Sequence, residues 1–416
     1  MAVVRPFKSF RPTKELVDKV AALPYDVMNS EEAREMVKGN PYSFLHVDKA
    51  EIDLEQGIDI HSTPVYEKAN ENLKKMISEG IYIQDDKPCM YIYRQVMNGR
   101  PQTGIVACAS IDDYINDIIK KHELTRAEKE LDRINHVDYT NSNTGPIFLT
   151  YKNKAEIDDI VNNWISNNDP VYNFNTVEDN VDQTVWVIND QEKVAKLSEL
   201  FKGVDYLYIA DGHHRSASAV KVGMKRREEN PKYTGEEEFN YFLSVIFPDS
   251  DLYIMDYNRV VEDLNGNSSE EFMKKVSEKF EIEEYKGEGQ YRPECQRTYG
   301  MYLDEKWYKL SAKEGTFDKN DPVARLDVSI LQKNLLEPIL AIDDPRTNPR
   351  IDFVGGIRGL GELERRVKEG MKVAFSMYPT TMEDLMDIAD AGKTMPPKST
   401  WFEPKLRSGI FVHELS

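Results

Sequence analysis

The sequence predicts an α/β to α+β fold with mixed sheets, and three observations carry that prediction. Short β-rich runs alternate with amphipathic helical stretches along the first 260 residues. Two of those runs meet at Asn98-Gly99, a pair that favours the tight turn of a β-hairpin. The last quarter reads strand, helix, strand, helix: "IDFVGG", "GELERRVKEG", "MKVAFSMYP" and "TMEDLMDIADAG".

The elements follow in chain order. After the turn "LPYDVMN", Ser30 is placed to cap a helix rich in glutamate in its first turn, and Gly39 stops it. "VYEKANENLKKMISEGI" is amphipathic and ends at Gly80. "PCMYIYRQVMNGRPQTGIVACASI" is the hairpin, and "DDYINDIIKKHELTRAEKELDRINHV" is expected to be helical with one densely charged face. "GPIFLTYK" and "TVWVIND" are strands, and the helix "QEKVAKLSELFKG" leads to an apolar strand ending at Asp211. Two further strands flank a Pro-Asp turn in "EFNYFLSVIFPDSDLYIMDYNRVV". Residues 261–322 are less apolar and should carry a helix and a hairpin. A lobe boundary is expected near 260, giving lobes 1–260 and 261–416.

The chain has 416 residues, with 54 Lys and Arg against 73 Asp and Glu, a net charge of −19. That field repels phosphate chains, so a nucleic-acid partner is not expected. No apolar run approaches a membrane span, and "MAVVRPFKSFRP" lacks the apolar core of a secretory signal. Cys89, Cys108 and Cys295 are odd in number and far apart. They fit a reducing cytoplasm and neither a disulfide framework nor a thiolate metal site. Whether the chain forms a homo-oligomer is left open.

The densest chemistry is "YIADGHHRSA", which sets Asp211, Gly212, His213, His214 and Arg215 where a strand hands over to a helix. Gly212 lets a ligand approach the turn, and the helix start beyond it offers unpaired N–H donors. Arg215 supplies a planar charged fork for phosphate oxygens. His213 and His214 could donate to phosphate or move a proton near neutral pH. Asp211 could orient a histidine, hold Mg²⁺, or accept a hydroxyl proton. The plain alternative is that Asp211 caps the helix and the histidines pack.

Other segments add candidates. His122, Arg126, Lys129 and Arg133 fall at helical spacing and could line an anion pocket or form a solvated charged face. "TMPPKSTWFEPKLRSG" lies outside regular structure and brings Lys398, Ser399, Thr400 and Lys405, groups that hold phosphate, beside Trp401 and Phe402, which could pin a strap. "GGIRGLGELE" might cradle phosphate but matches no nucleotide-loop fingerprint.

Taken together, "LPYDV", "NPYSF", "HELTRAEKELDR", "GPIFLTY", "IADGHHRSASA" and "MPPKSTWFEPKLRSG" resemble a widespread bacterial and archaeal family carried as a conserved domain of unknown function. The Asp-Gly-His-His-Arg element also resembles the ParB/sulfiredoxin signature, which implies a ParB/sulfiredoxin-like core in the first lobe. By that resemblance Gly212 and Arg215 match the phosphate-binding glycine and arginine, and His214 matches the histidine before that arginine. His213 stands where sulfiredoxins have their reactive cysteine, so cysteine redox chemistry is excluded. Relatives include free-serine kinases that use ADP or pyrophosphate. Their general base is an N-terminal glutamate, for which Asp26 is the positional counterpart.

The expectation is therefore a phosphotransferase that makes O-phosphoserine from free L-serine and a phosphate-rich donor, or runs in reverse, with Mg²⁺. Its partners are a small phosphate donor and an amino-acid acceptor. A non-catalytic nucleotide or phosphometabolite sensor and a plain phosphohydrolase are the alternatives.

Overall fold

A computed structural model describes residues 1–416. The chain divides into two units, Met1–Leu252 with Pro404–Ser416, and Tyr253–Glu403. The expected boundary at 260, and the assignment of all of 261–416 to the second lobe, are both corrected by strand pairing. Tyr257–Val261 is bonded on both edges inside the second unit, to Ile351–Gly355 and Val373–Met377. The C-terminal residues pair inside the first: Ser408 with Ala22, Val412 with Phe10, and His413–Glu414 with Ser142–Asn143.

The first unit is built on a nine-stranded mixed sheet. Its main path runs Ile119–Lys120, Leu207–Asp211, Ile147–Tyr151, Tyr241–Pro248, Arg100–Ser110, Met90–Met97, Val181–Ile188 and Tyr172–Thr176. The hairpin forms as the sequence predicts, with Asn98 and Gly99 both at positive φ (53° and 76°) and Met97 opposite Arg100. The apolar faces of these strands (Ile92, Ile105, Leu149, Ile209) pack with Val194, Leu197 and Phe201 of the helix Gln191–Lys202 in one core. Helix Ser30–Met36 is capped by Asn29, one residue before the expected Ser30, with Glu32 closing a reciprocal capping box.

One expected helix is two elements. Residues 112–137 break after Ile115, because Asp117 takes the left-handed φ of 58° and Ile119–Lys120 pairs with Leu207–Tyr208. The helix resumes only at Ala127–Thr140, leaving residues 121–126 as a loop.

The second unit holds a six-stranded antiparallel sheet, with Tyr257–Val261 between Ile351–Gly355 and Val373–Met377. The predicted βαβα run is thus present, with an earlier strand inserted between its two strands. In the glycine-rich segment the first two glycines are taken up by packing, while Gly359 and Gly361 have open space beside them. A Cβ on Gly355 would lie 2.9 Å from the Trp401 ring, and one on Gly356 would lie 2.5 Å from the Asp256 carboxylate.

Asp327 in this unit is buried, with Oδ1 accepting the Arg297 N–H at 2.8 Å and Oδ2 without a hydrogen-bond partner. Burial pushes its carboxyl up to about 7 against the Arg297 N–H, with Asp384 adding to the rise. A raised carboxyl binds its proton more tightly folded than unfolded. The stability that this group contributes is therefore full below pH about 4 and is lost as pH rises through about 7. Asp327→Asn should flatten that fall, an effect on the order of a few kcal/mol. Hydrogen exchange over residues 253–403 at pH 5 and pH 8 checks it. A decline of equal size in the variant excludes Asp327 as its source.

Candidate active site

Leu207–Ala210 is apolar and buried, in a strand paired on both edges, with Ile147–Tyr151 and Ile119–Lys120. It ends at Asp211, Gly212 turns at φ 97°, and the helix His213–Glu229 begins. Glycine is required twice over here. The φ is left-handed, and a Cβ would sit 3.1–3.3 Å from the Arg215 guanidinium, which folds back over the turn. Arg215 Nη1 donates to the Pro146 carbonyl at 2.6 Å, and Nη2 lies 3.9 Å from Asp211 Oδ1.

Asp211 is held by cations. Lys405 Nζ donates to its Oδ2 at 3.0 Å. Burial alone would raise this carboxyl, but Lys405 and then Arg215 hold it well below the usual carboxylate range. A carboxylate that ionises so readily is a poor proton acceptor, which favours an orienting role among those open to Asp211. Nor do the side chains build a metal cage: no group of three or more His, Cys, Asp or Glu comes together. The Asp211 carboxylate is instead engaged by Lys405 and Arg215.

The two histidines part company. His213 is buried and packs edge-to-face on His122, ring centroids 4.5 Å apart. His213 Nε2 and His122 Nδ1 are buried without hydrogen-bond partners. Burial and then the neighbouring His122 hold His213 well below its ordinary range, and burial lowers His122 to about 4. Burial therefore disfavours the charged form of both rings, which counts against His213 as a carrier of protons near neutrality. His214 lies closer to the surface, and its Nε2 accepts the Arg126 backbone N–H at 3.0 Å. Burial, then Lys129, lowers its pKa, opposed by the Asp26 and Glu130 carboxylates.

The buried pair predicts an acid limit. The unfolded histidines take up protons below pH about 6.5, while folded His122 resists until about 4. Stability of the first unit should fall as pH drops through that window. His122→Phe should shallow the fall, read by circular dichroism melts at pH 4.5 and 7. An unchanged pH slope would remove the pair as its cause.

A cavity of about 30 Å³ opens beside the turn, lined by Tyr25, Asp48, Arg133, His136, Thr144, Gly145, Arg215 and Ser408 among others. Arg133 comes from the helix Ala127–Thr140, stacks over the Tyr25 ring at 3.9 Å and pairs with Asp132 at 2.7 Å. Thr144 donates to the buried Asp48 carboxylate at 2.7 Å. Asp26, next to Tyr25, is exposed and acts electrostatically on both Tyr25 and His214.

The structure thus brings together Asp211, Gly212, His214, Arg215, Arg133, Lys405 and Asp26, with Arg126 at the rim through its backbone. His122 and His213 lie beneath. Lys398, Ser399 and Thr400 belong to the second unit. There Lys398 Nζ lies 5.6 Å from the Tyr257 ring, and the buried Ser399 hydroxyl donates to the Pro396 carbonyl at 2.6 Å. Trp401 packs on Tyr257 at 5.0 Å, as a pinned strap requires. Tyr25 and Ser408 lie inside the quoted motifs "LPYDV" and "MPPKSTWFEPKLRSG" without being site candidates there, and Asp48, His136 and Thr144 stand outside the candidate residues altogether. His136 follows Arg133 at i+3, a spacing that puts both on one helix face.

The model of the family described as "Protein of unknown function (DUF1015)" matches residues 4–329. The chain belongs to that family. No curated protein matches it. Among solved structures, a free serine kinase mutant in complex with AMP is 14% identical, with TM-score 0.37, covering 74% of this chain and 92% of that one. A conserved hypothetical protein from Pyrococcus furiosus is 14% identical, with TM-score 0.34, covering 74% and 94%. C-terminally truncated SbnI from Staphylococcus aureus is 9% identical, with TM-score 0.36, covering 72% and 82%. No helix of this DUF1015 protein is long and apolar enough to cross a membrane.

Proposed function

We propose that this DUF1015 protein is a small-molecule phosphotransferase that moves a phosphoryl group from a phosphate-rich donor to the hydroxyl of free L-serine. The observation that carries the reading is that Arg133 and Arg215, from two different helices, line one cavity beside the left-handed Gly212 turn. Two cations are worth their desolvation where an anion completes them, and phosphoryl transfer is mostly positioning and charge neutralisation. The sequence resemblance to free-serine kinases points the same way.

In the reaction proposed, the serine oxygen attacks the terminal phosphorus of the donor. The P–O bond to the remainder of the donor breaks, that remainder leaves with the electron pair, and the hydroxyl proton passes to a base. Asp26 is the base proposed, being an exposed carboxylate near enough to His214 to act on it electrostatically. Asp211 holds Lys405 and Arg215 in place for the phosphoryl oxygens. The cavity has room for water-sized atoms, so the terminal phosphoryl group would sit at its mouth and the rest of the donor outside. Mg²⁺ would arrive on the donor's own phosphate oxygens, as it commonly binds with few protein ligands.

The test is a matrix of donors (ADP, ATP, pyrophosphate) against amino-acid acceptors, with product read by mass spectrometry. O-phosphoserine formed only with donor and serine together supports the reading. Ligand-induced conformational change with no product would favour a sensor.

A further inference from the structure

Behind Lys405 lies a row of buried polar side chains that the site chemistry does not use. Strand register sets Gln183 opposite Gln95 and Gln95 opposite Gln102, so three glutamines stand side by side across three strands. All three are buried, as are Tyr93, Thr176 and Arg407. Gln102 Nε2 donates to Gln95 Oε1 at 3.0 Å, and Gln95 Nε2 donates to Gln183 Oε1 at 3.2 Å. Gln183 Nε2 donates to Thr176 Oγ1 at 3.2 Å, which also accepts from Arg407 Nη2 at 2.9 Å. Arg407 further pairs with Asp179 in the turn between Tyr172–Thr176 and Val181–Ile188. The second N–H of Gln95 goes to the Lys405 backbone carbonyl at 3.0 Å.

Burying this many polar groups on a sheet face that also carries Tyr91, against which Phe411 packs, is costly for stability alone. What the network gains is a fixed position for the segment it grips, because both N–H donors of the Gln95 amide are used and its oxygen accepts from Gln102. The gripped segment carries Lys405, whose ammonium holds Asp211. We propose that Gln95 is a positioning residue which, with Arg407 as anchor, fixes Lys405 against Asp211. Its consequence for turnover rests on the phosphotransferase reading; the positioning itself does not.

The test therefore uses readouts that need no substrate. In the full-length protein, Lys405 acylation by pulsed acetic anhydride is measured by mass spectrometry, and the Asp211 carboxyl is titrated by carbon NMR. Gln95→Met keeps side-chain volume and removes the amide. It should raise Lys405 labelling about tenfold and move the Asp211 titration upward, toward the ordinary carboxylate range. Thr176→Val should act in the same direction and Thr176→Ser should not, which decides the matter if Gln95→Met does not fold. Labelling and titration unchanged in folded Gln95→Met, or in both Thr176 variants, would overturn the proposal. A shift in both readouts without any O-phosphoserine from wild-type protein would leave positioning intact and reject the phosphotransferase reading.

Discussion

Arg215→Ala is expected to weaken pyrophosphate and nucleotide binding by about 2–4 kcal/mol, the scale for removing a charged, partly buried partner. The guanidinium lies over Gly212 with one nitrogen tied to the Pro146 carbonyl, so its orientation is set before any ligand arrives. Preset orientation makes the loss one of affinity, with no change of fold. Isothermal calorimetry reads it directly: roughly thirtyfold to a thousandfold weaker binding, with a melting temperature near wild type. Undiminished pyrophosphate binding would remove the turn from the site. Adding back the charge as Arg215→Lys should recover only part, since an ammonium lacks the planar fork.

The second large effect separates the two aspartates. Asp26→Asn should cut turnover by about two orders of magnitude or more while leaving donor affinity nearly intact, the usual cost of losing an acid–base group. Asp211→Asn should instead raise KM for the donor, because Lys405 and Arg215 lose the carboxylate that holds them. Steady-state kinetics on both variants gives the answer. If Asp211→Asn abolishes turnover at unchanged KM and Asp26→Asn is active, the roles are reversed.

Much of the fold could be read in the residues because its signals are local. Asn98-Gly99 dictates its turn through positive φ at both positions, and it also places Gln95 opposite Gln102, three residues out on either side. The apolar run into Asp211 and the small residues after Arg215 mark a strand and a helix irrespective of their partners. Failures came where distant packing decides. Residues 121–126 carry helix-forming side chains, yet His122 is drawn under the motif helix by its contact with His213. Arg407 looks like one more surface cation in a basic segment. It is fully buried because Thr176 and Asp179, more than two hundred residues earlier, meet its guanidinium.

The site shows the same division. Gly212 and Arg215 are legible from the motif because the turn is local. Arg133 was legible only as one member of a charged stripe, and the helix that truly begins at Ala127 removes His122 and Arg126 from that stripe. Lys405 was grouped with Lys398, though the two belong to different units. Nothing in the spacing of a proline-rich segment says where one unit ends and another resumes.

The most direct measurement is the mass-spectrometric yield of O-phosphoserine from wild-type protein with donor, Mg²⁺ and L-serine, beside the same mixture without serine. Product is expected only in the complete mixture, with donor cleavage that depends on serine. Phosphate released at the full rate without serine would contradict it.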